Sequence, residues 1–149
     1  MTRVTFSFAT VVCGLLLSVL YGCSGGDGSD FPNLQGVYRG TSTETDSGCR
    51  NPRDNGTFTG TTTVNISSQN DANFSGTLVD PDGNTGSLTG QINAGGGVSG
   101  SFTVSAGSFT SQATFSGTLA GNSLTVDYSG RVTAGDTCVF QGRFTGTRS

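Results

Sequence analysis

The chain contains no Lys, no His and no Trp, and of its ten carboxylates only Glu44 is a Glu. With Lys and His missing, seven Arg make up the whole side-chain cationic complement. No basic stripe can follow a phosphate backbone, so nucleic acid is not expected as a partner. The lack of His and Lys also removes the commonest general bases, leaving Ser, Asp and Tyr as the remaining chemistry. Strong helix formers are scarce while Gly, Ser and Thr dominate, so no long helix can be written for the main body of the chain. Low charge and abundant Gly also suit a disordered chain, but such chains lack the regular apolar pattern described below.

The one long apolar run lies at the start, from about Val4 to Leu20, behind Arg3 and followed by Leu20-Tyr21-Gly22-Cys23. About 17 apolar residues is near the lower limit for a membrane-spanning helix, the alternative reading of this segment. The stretch resembles a bacterial lipoprotein signal with its lipobox, departing from the pattern in Tyr21, where a small residue is usual. That resemblance implies a signal helix over residues 1–22, cleavage before Cys23, a diacylglyceryl thioether on its sulfur and an acylated amino group, palmitate being typical. Several buried acyl chains make such an anchor effectively permanent. It further implies a cell-envelope location, with Ser24 after the cysteine favouring the outer membrane. Residues 23–33, rich in Gly, Ser and Asp, have the composition of a flexible tether. One domain is expected over residues 34–149, too short for two substantial cores.

Within that domain a unit recurs in which apolar residues flank a Gly at alternate positions. Copies include Phe74-Ser-Gly-Thr-Leu78, Leu88-Thr-Gly-Gln-Ile92, Val98-Ser-Gly-Ser-Phe102, Phe115-Ser-Gly-Thr-Leu119, Tyr128-Ser-Gly-Arg-Val132 and Phe140-Gln-Gly-Arg-Phe144. An extended chain has a side-chain period of two, so the apolar residues and Gly share one face and the Ser, Thr, Gln and Arg share the other. Asp80-Pro-Asp-Gly-Asn84, Ala94-Gly-Gly-Gly97, Ala106-Gly107, Ala120-Gly-Asn122 and Ala134-Gly-Asp136 supply turns between copies. The pattern predicts an all-β fold with eight strands near 34–43, 56–67, 72–80, 85–93, 97–105, 108–119, 122–133 and 137–147. Connections this short give an antiparallel up-and-down meander. The irregular spacing of the Gly centres argues against a solenoid.

A meander with one apolar face must close into a barrel or fold over as a sandwich. With Cys13 in the signal and Cys23 lipidated, Cys49 and Cys138 remain as an even pair. In a closed meander the first and eighth strands are neighbours, and these two cysteines fall at the same end. A Cys49–Cys138 disulfide across the seam is therefore expected, worth roughly 4 to 5 kcal/mol in the chain-entropy model. Two Cys with no His make a poor metal site, and no cofactor is expected. The run Thr57, Thr59, Thr61, Thr63, Asn65, Ser67 cannot face lipid tails without cost, so a small soluble barrel is expected rather than a transmembrane one.

An eight-stranded meander whose first strand carries Leu34-Gln-Gly-Val-Tyr38 resembles the calycin architecture of lipocalins and avidins. Those typically have a Trp after the early Gly and a late Arg packing across it; here Tyr38 stands in the first place and Arg143 or Arg148 suits the second. The resemblance implies binding of a small apolar or aromatic ligand inside the barrel, an analogy at the level of fold.

Inward glycines admit two readings. They let strands coil tightly around a filled core, the expected case, or they leave a cavity bounded by Phe74, Phe102, Phe115 and Phe140. Tyr38 and Tyr128 are that cavity's candidate polar contacts, though the expected role of both is barrel-end packing with the hydroxyl in water.

Other chemistry is thin. Asp80-Pro-Asp-Gly-Asn84 lacks the later Glu of a calcium loop and is expected to be a hairpin turn. Glu44 and Asp46 are expected in a solvated loop with no apolar neighbours to shift their pKa. No enzyme is expected. The leading expectation is a lipid-anchored structural or interaction domain whose partner is another envelope protein, met through loops such as Cys49–Asn55. The alternative is the ligand-binding barrel, and interior volume discriminates between them: a void of several hundred Å³ favours the ligand.

Overall fold

The computed structural model describes residues 30–135 and 137–149. The expected signal helix, Cys13, Cys23 and most of the tether lie outside the described residues. All eight expected strands form: β1 Gly36–Ser47, β2 Gly56–Asn70, β3 Asn73–Val79, β4 Thr85–Ile92, β5 Gly97–Ala106, β6 Phe109–Ala120, β7 Ser123–Ala134 and β8 Val139–Arg148. Each pairs antiparallel with the next, and β1 also pairs with β8, from Tyr38 opposite Arg148 to Ser47 opposite Val139. The sheet is thus a closed barrel in simple meander order. Closure gives every strand two partners, apart from residues 56–62 of β2 beyond the end of β3, and so removes the long open edge that an open sheet with one apolar face would carry.

Two adjustments to the expected boundaries matter. β1 runs on to Ser47, because Thr43 to Asp46 find backbone partners on both sides, in β2 and in β8. At the other end, Phe31 packs on the core, and the Pro32 and Asn33 carbonyls accept hydrogen bonds from Gln69 Nε2 and Arg148 Nη2. The last residues of the expected tether are therefore part of the barrel's end.

Closing only eight strands requires strong coiling, and the inward glycines permit it by letting neighbouring backbones approach closely. A Cβ on Gly117 would overlap the Thr125 carbonyl oxygen and lie 2.6 Å from Val126 Cα. Gly40, Gly76 and Gly100 meet neighbouring backbone carbonyls in the same way. Four glycines are covered by an aromatic ring from the paired position of a neighbouring strand. Built Cβ atoms on Gly90, Gly100 and Gly130 would each lie 2.6 Å from the Cζ of Phe74, Phe115 and Phe140, and one on Gly142 2.5 Å from Tyr128 Cζ. The rings lie along the wall instead of filling the centre. At the tight β5–β6 and β6–β7 turns, Gly107 and Gly121 adopt φ of +60° and +59°, a left-handed conformation that suits Gly.

One end is sealed. Leu34, Tyr38 and Ile92 are the largest fully buried side chains. The Tyr38 hydroxyl donates to Leu34 O at 2.9 Å and accepts from Arg148 Nε at 3.0 Å and Nη2 at 2.6 Å. The Arg148 guanidinium carbon lies 5.3 Å from the Tyr38 ring centroid, so of the two late arginines it is Arg148 that packs across Tyr38. Arg143 faces outward, paired with Asp127 at 2.7 Å. At the opposite end Cys49 and Cys138 form the expected disulfide, with Cα atoms 4.2 Å apart.

Gly117→Val is expected to destabilise the barrel by roughly 1 to 3 kcal/mol or more through overpacking, read as a lower urea midpoint at an unchanged slope. A midpoint equal to the parent's would show that β6 and β7 do not need this close approach.

Candidate functional site

Because the rings lie against the wall, the barrel encloses a cavity of about 750 Å³ that reaches from Leu34 above the sealed floor to Asp54, Phe58 and Pro81 at the opposite end. The expected filled core is thereby corrected: the glycines allow tight coiling, and the same coiling lays the aromatic side chains flat. Phe74, Phe102, Phe115, Phe140 and Tyr128 all line the cavity. Phe102 and Tyr128 meet edge to face with centroids 5.7 Å apart, and Tyr128 and Phe140 similarly at 6.4 Å. Tyr38 does not belong to the lining. It sits fully buried in the floor with its hydroxyl held by Arg148 and out of water, because the chain ahead of β1 folds across that end.

The disulfide staples β8 to the loop after β1 beside the mouth, and Cys138 is itself in the lining. Phe58, on the upper part of β2, is 51% exposed at the rim. β2 outreaches β3 there, and the β3–β4 turn leans back over it, so that a Cβ on Gly60 would lie 2.8 Å from Pro81 Cγ. That turn is the expected hairpin: Asp80 Oδ1 accepts from the Asp82 and Asn84 amides at 3.0 and 2.8 Å, and Asp80 Oδ2 accepts from Asn84 Nδ2 at 2.9 Å. Among the described residues no group of three or more His, Cys, Asp or Glu side chains is placed to hold a metal ion.

Glu44 and Asp46 require the largest correction. They were expected in a solvated loop, yet β1 carries them in the inward series Tyr38, Gly40, Ser42, Glu44, Asp46, and both line the cavity. Burial, reinforced by the neighbouring Asp46 carboxylate, pushes the Glu44 carboxyl up to about 7, against a hydrogen bond from Tyr128 that lowers it. Burial likewise raises Asp46. The Tyr128 hydroxyl is pushed up too, by burial first and by the Glu44 charge second. Asp46 Oδ1 is buried and has no hydrogen-bond partner among the described residues. Below this pair Ser42 and Thr62 satisfy each other at 2.7 Å, and beyond them the lining is aliphatic and aromatic. The period-two alternation of β1 held the signal for Glu44 and Asp46, but without an apolar residue past Tyr38 nothing marked that the strand continued.

No protein-family model matches the sequence, and no curated protein matches it.

Between pH about 4.5 and 7 the folded protein retains the Glu44 proton that the unfolded chain has released. This group therefore makes stability fall as pH rises through that window, with the full penalty present above it. Glu44→Gln should raise the thermal midpoint more at pH 8 than at pH 4.5. Equal changes at both values would mean that Glu44 titrates normally.

Proposed function

We propose that this protein is a lipid-anchored envelope barrel, attached through Cys23, that binds a small and largely apolar ligand in its interior. The observation that carries the reading is the cavity of about 750 Å³ with Phe74, Phe102, Phe115 and Tyr128 in its wall. That volume lies within the roughly 300 to 1,000 Å³ typical of sites for small molecules, and an apolar lining with few polar groups is their usual character. A filled interior would have favoured the rival reading, a purely structural or interaction domain. The closed eight-stranded meander is compatible with a calycin-like architecture, which adds support by fold analogy alone.

The geometry also orients such a binder. Asp30 to Leu34 enter at the sealed floor, so a lipid on Cys23 would hold that end toward the membrane and turn the mouth with Phe58 and Pro81 away from it. Ligand would then enter from the side facing away from the bilayer.

Titration with a neutral naphthalene-type fluorophore should give saturable, one-site enhancement. Val126→Trp, which adds a ring inside the cavity, should weaken it at least tenfold, while Val139→Trp on the outer face should leave it unchanged. No saturable uptake by the parent, or equal uptake by both variants, would overturn the reading.

A further inference from the structure

Resting on the ligand-binding reading, we propose that the ligand is a cationic amphiphile, an aromatic or aliphatic body bearing an alkylammonium-type group, with its charge placed at Glu44 and Asp46 beside the Phe102, Tyr128 and Phe140 rings. The charges of the cavity all have one sign. Among the described residues, Glu44, Asp46, Asp54, Asp80 and Asp82 line it, and no Arg does. A fatty acid or other organic anion would enter that field with no counter-charge to meet.

The carboxylates are not equivalent. The two oxygens of Asp80 are taken up by the β3–β4 turn, so the fold itself accounts for that residue. Glu44 and Asp46 lie two residues apart on the mouth half of β1, opposite Phe58 and Gly56, and no cation meets them: Glu44 has the Tyr128 hydroxyl, the two carboxyls hydrogen-bond each other, and Asp46 Oδ1 has no partner among the described residues. Buried carboxyls without a counter-charge are costly to ionise, and a ligand cation would supply that charge.

A second, independent feature points the same way. Tyr128 stands between Phe102 and Phe140, with centroids 5.7 and 6.4 Å away, and all three rings border the cavity next to Glu44. Aromatic faces grouped beside a carboxylate favour ammonium groups through the ring quadrupole. Below them Val64, Ile66, Leu88 and Leu124 offer an apolar floor for the rest of the molecule. The groups that face Glu44 from adjoining elements are Asp46 on β1, Tyr128 on β7 and Asp80 in the β3–β4 turn, none of them cationic.

The test uses calorimetric titration with three probes on one scaffold: (1-naphthylmethyl)trimethylammonium, the neutral 1-naphthylmethanol and the anion 1-naphthaleneacetate. The permanent charge of the first keeps the probe itself from titrating. At pH 8 the cation should bind at least about tenfold tighter than the neutral probe, the size expected of a charge-assisted contact, and the anion weakest. Toward pH 5.5 the cation-to-neutral ratio should shrink as Glu44 takes up its proton. Glu44→Gln should bring the ratio at pH 8 to within about threefold of one, and loss of folded protein cancels from that ratio. If the neutral probe binds as well as the cation, or the ratio survives Glu44→Gln, the charge assignment is overturned and the cavity reading stands. If none of the three binds, both fall.

Discussion

The barrel depends on contacts that only Gly allows, between one strand's backbone and the next strand's carbonyl or ring. Each strand turns Gly inward where closure would otherwise force a Cβ into its neighbour, as at Gly117 against Thr125 and Gly76 against Asn65. Four of these glycines lie directly across the ladder from an aromatic residue: Gly90 from Phe74, Gly100 from Phe115, Gly130 from Phe140 and Gly142 from Tyr128. A ring laid over the partner glycine covers backbone that would otherwise be bare. The same arrangement thins the wall and leaves the centre open, so tight closure and an enclosed cavity are two results of one constraint.

The two ends are built differently, and the difference gives the cavity a direction. At the floor, apolar bulk and a polar clamp work together: Leu34 and Ile92 fill the space, while Arg148 joins Tyr38 to the Asn33 carbonyl across the β1–β8 seam. At the mouth the seam is covalent, through Cys49 and Cys138, and the loops are short or tied down by their own side chains, as Asn55 Oδ1 holds the Cys49 amide at 3.1 Å. The wall is satisfied on its outer side by hydroxyl pairs such as Thr45 with Thr57 at 2.9 Å and by the exposed Asp127–Arg143 pair. Among the described residues the buried side-chain polar atom left without a partner, Asp46 Oδ1, lies inside.

Much of this was legible in the sequence. The alternation of apolar residues with Gly marked β3 to β8, the Gly-rich turns fixed the meander, and the pairing of Cys49 with Cys138 followed from joining strand one to strand eight. Four of the wall's aromatic residues and Tyr128 were legible as inward-facing for the same reason. What stayed hidden depended on three-dimensional facts with no local mark. The upper half of β1 contains Thr43-Glu44-Thr45-Asp46, which resembles a polar loop, and only pairing on both sides makes it a strand with two inward carboxyls. Tyr38 pointed inward as expected, but its role in the floor depended on Arg148, 110 residues later. Whether the rings fill the centre or line it is decided by their tilt over the neighbouring glycines, which residue order does not encode.

The central claim is that the interior is a binding site and not merely space left by closure. Native mass spectrometry of the protein purified from its own host addresses this most directly. The account predicts a species one small molecule heavier per barrel, lost on gentle collisional activation and absent from a Val126→Trp variant prepared identically. Protein that runs only at its covalent mass under the mildest conditions, from host extracts in which the fold is intact, would contradict it.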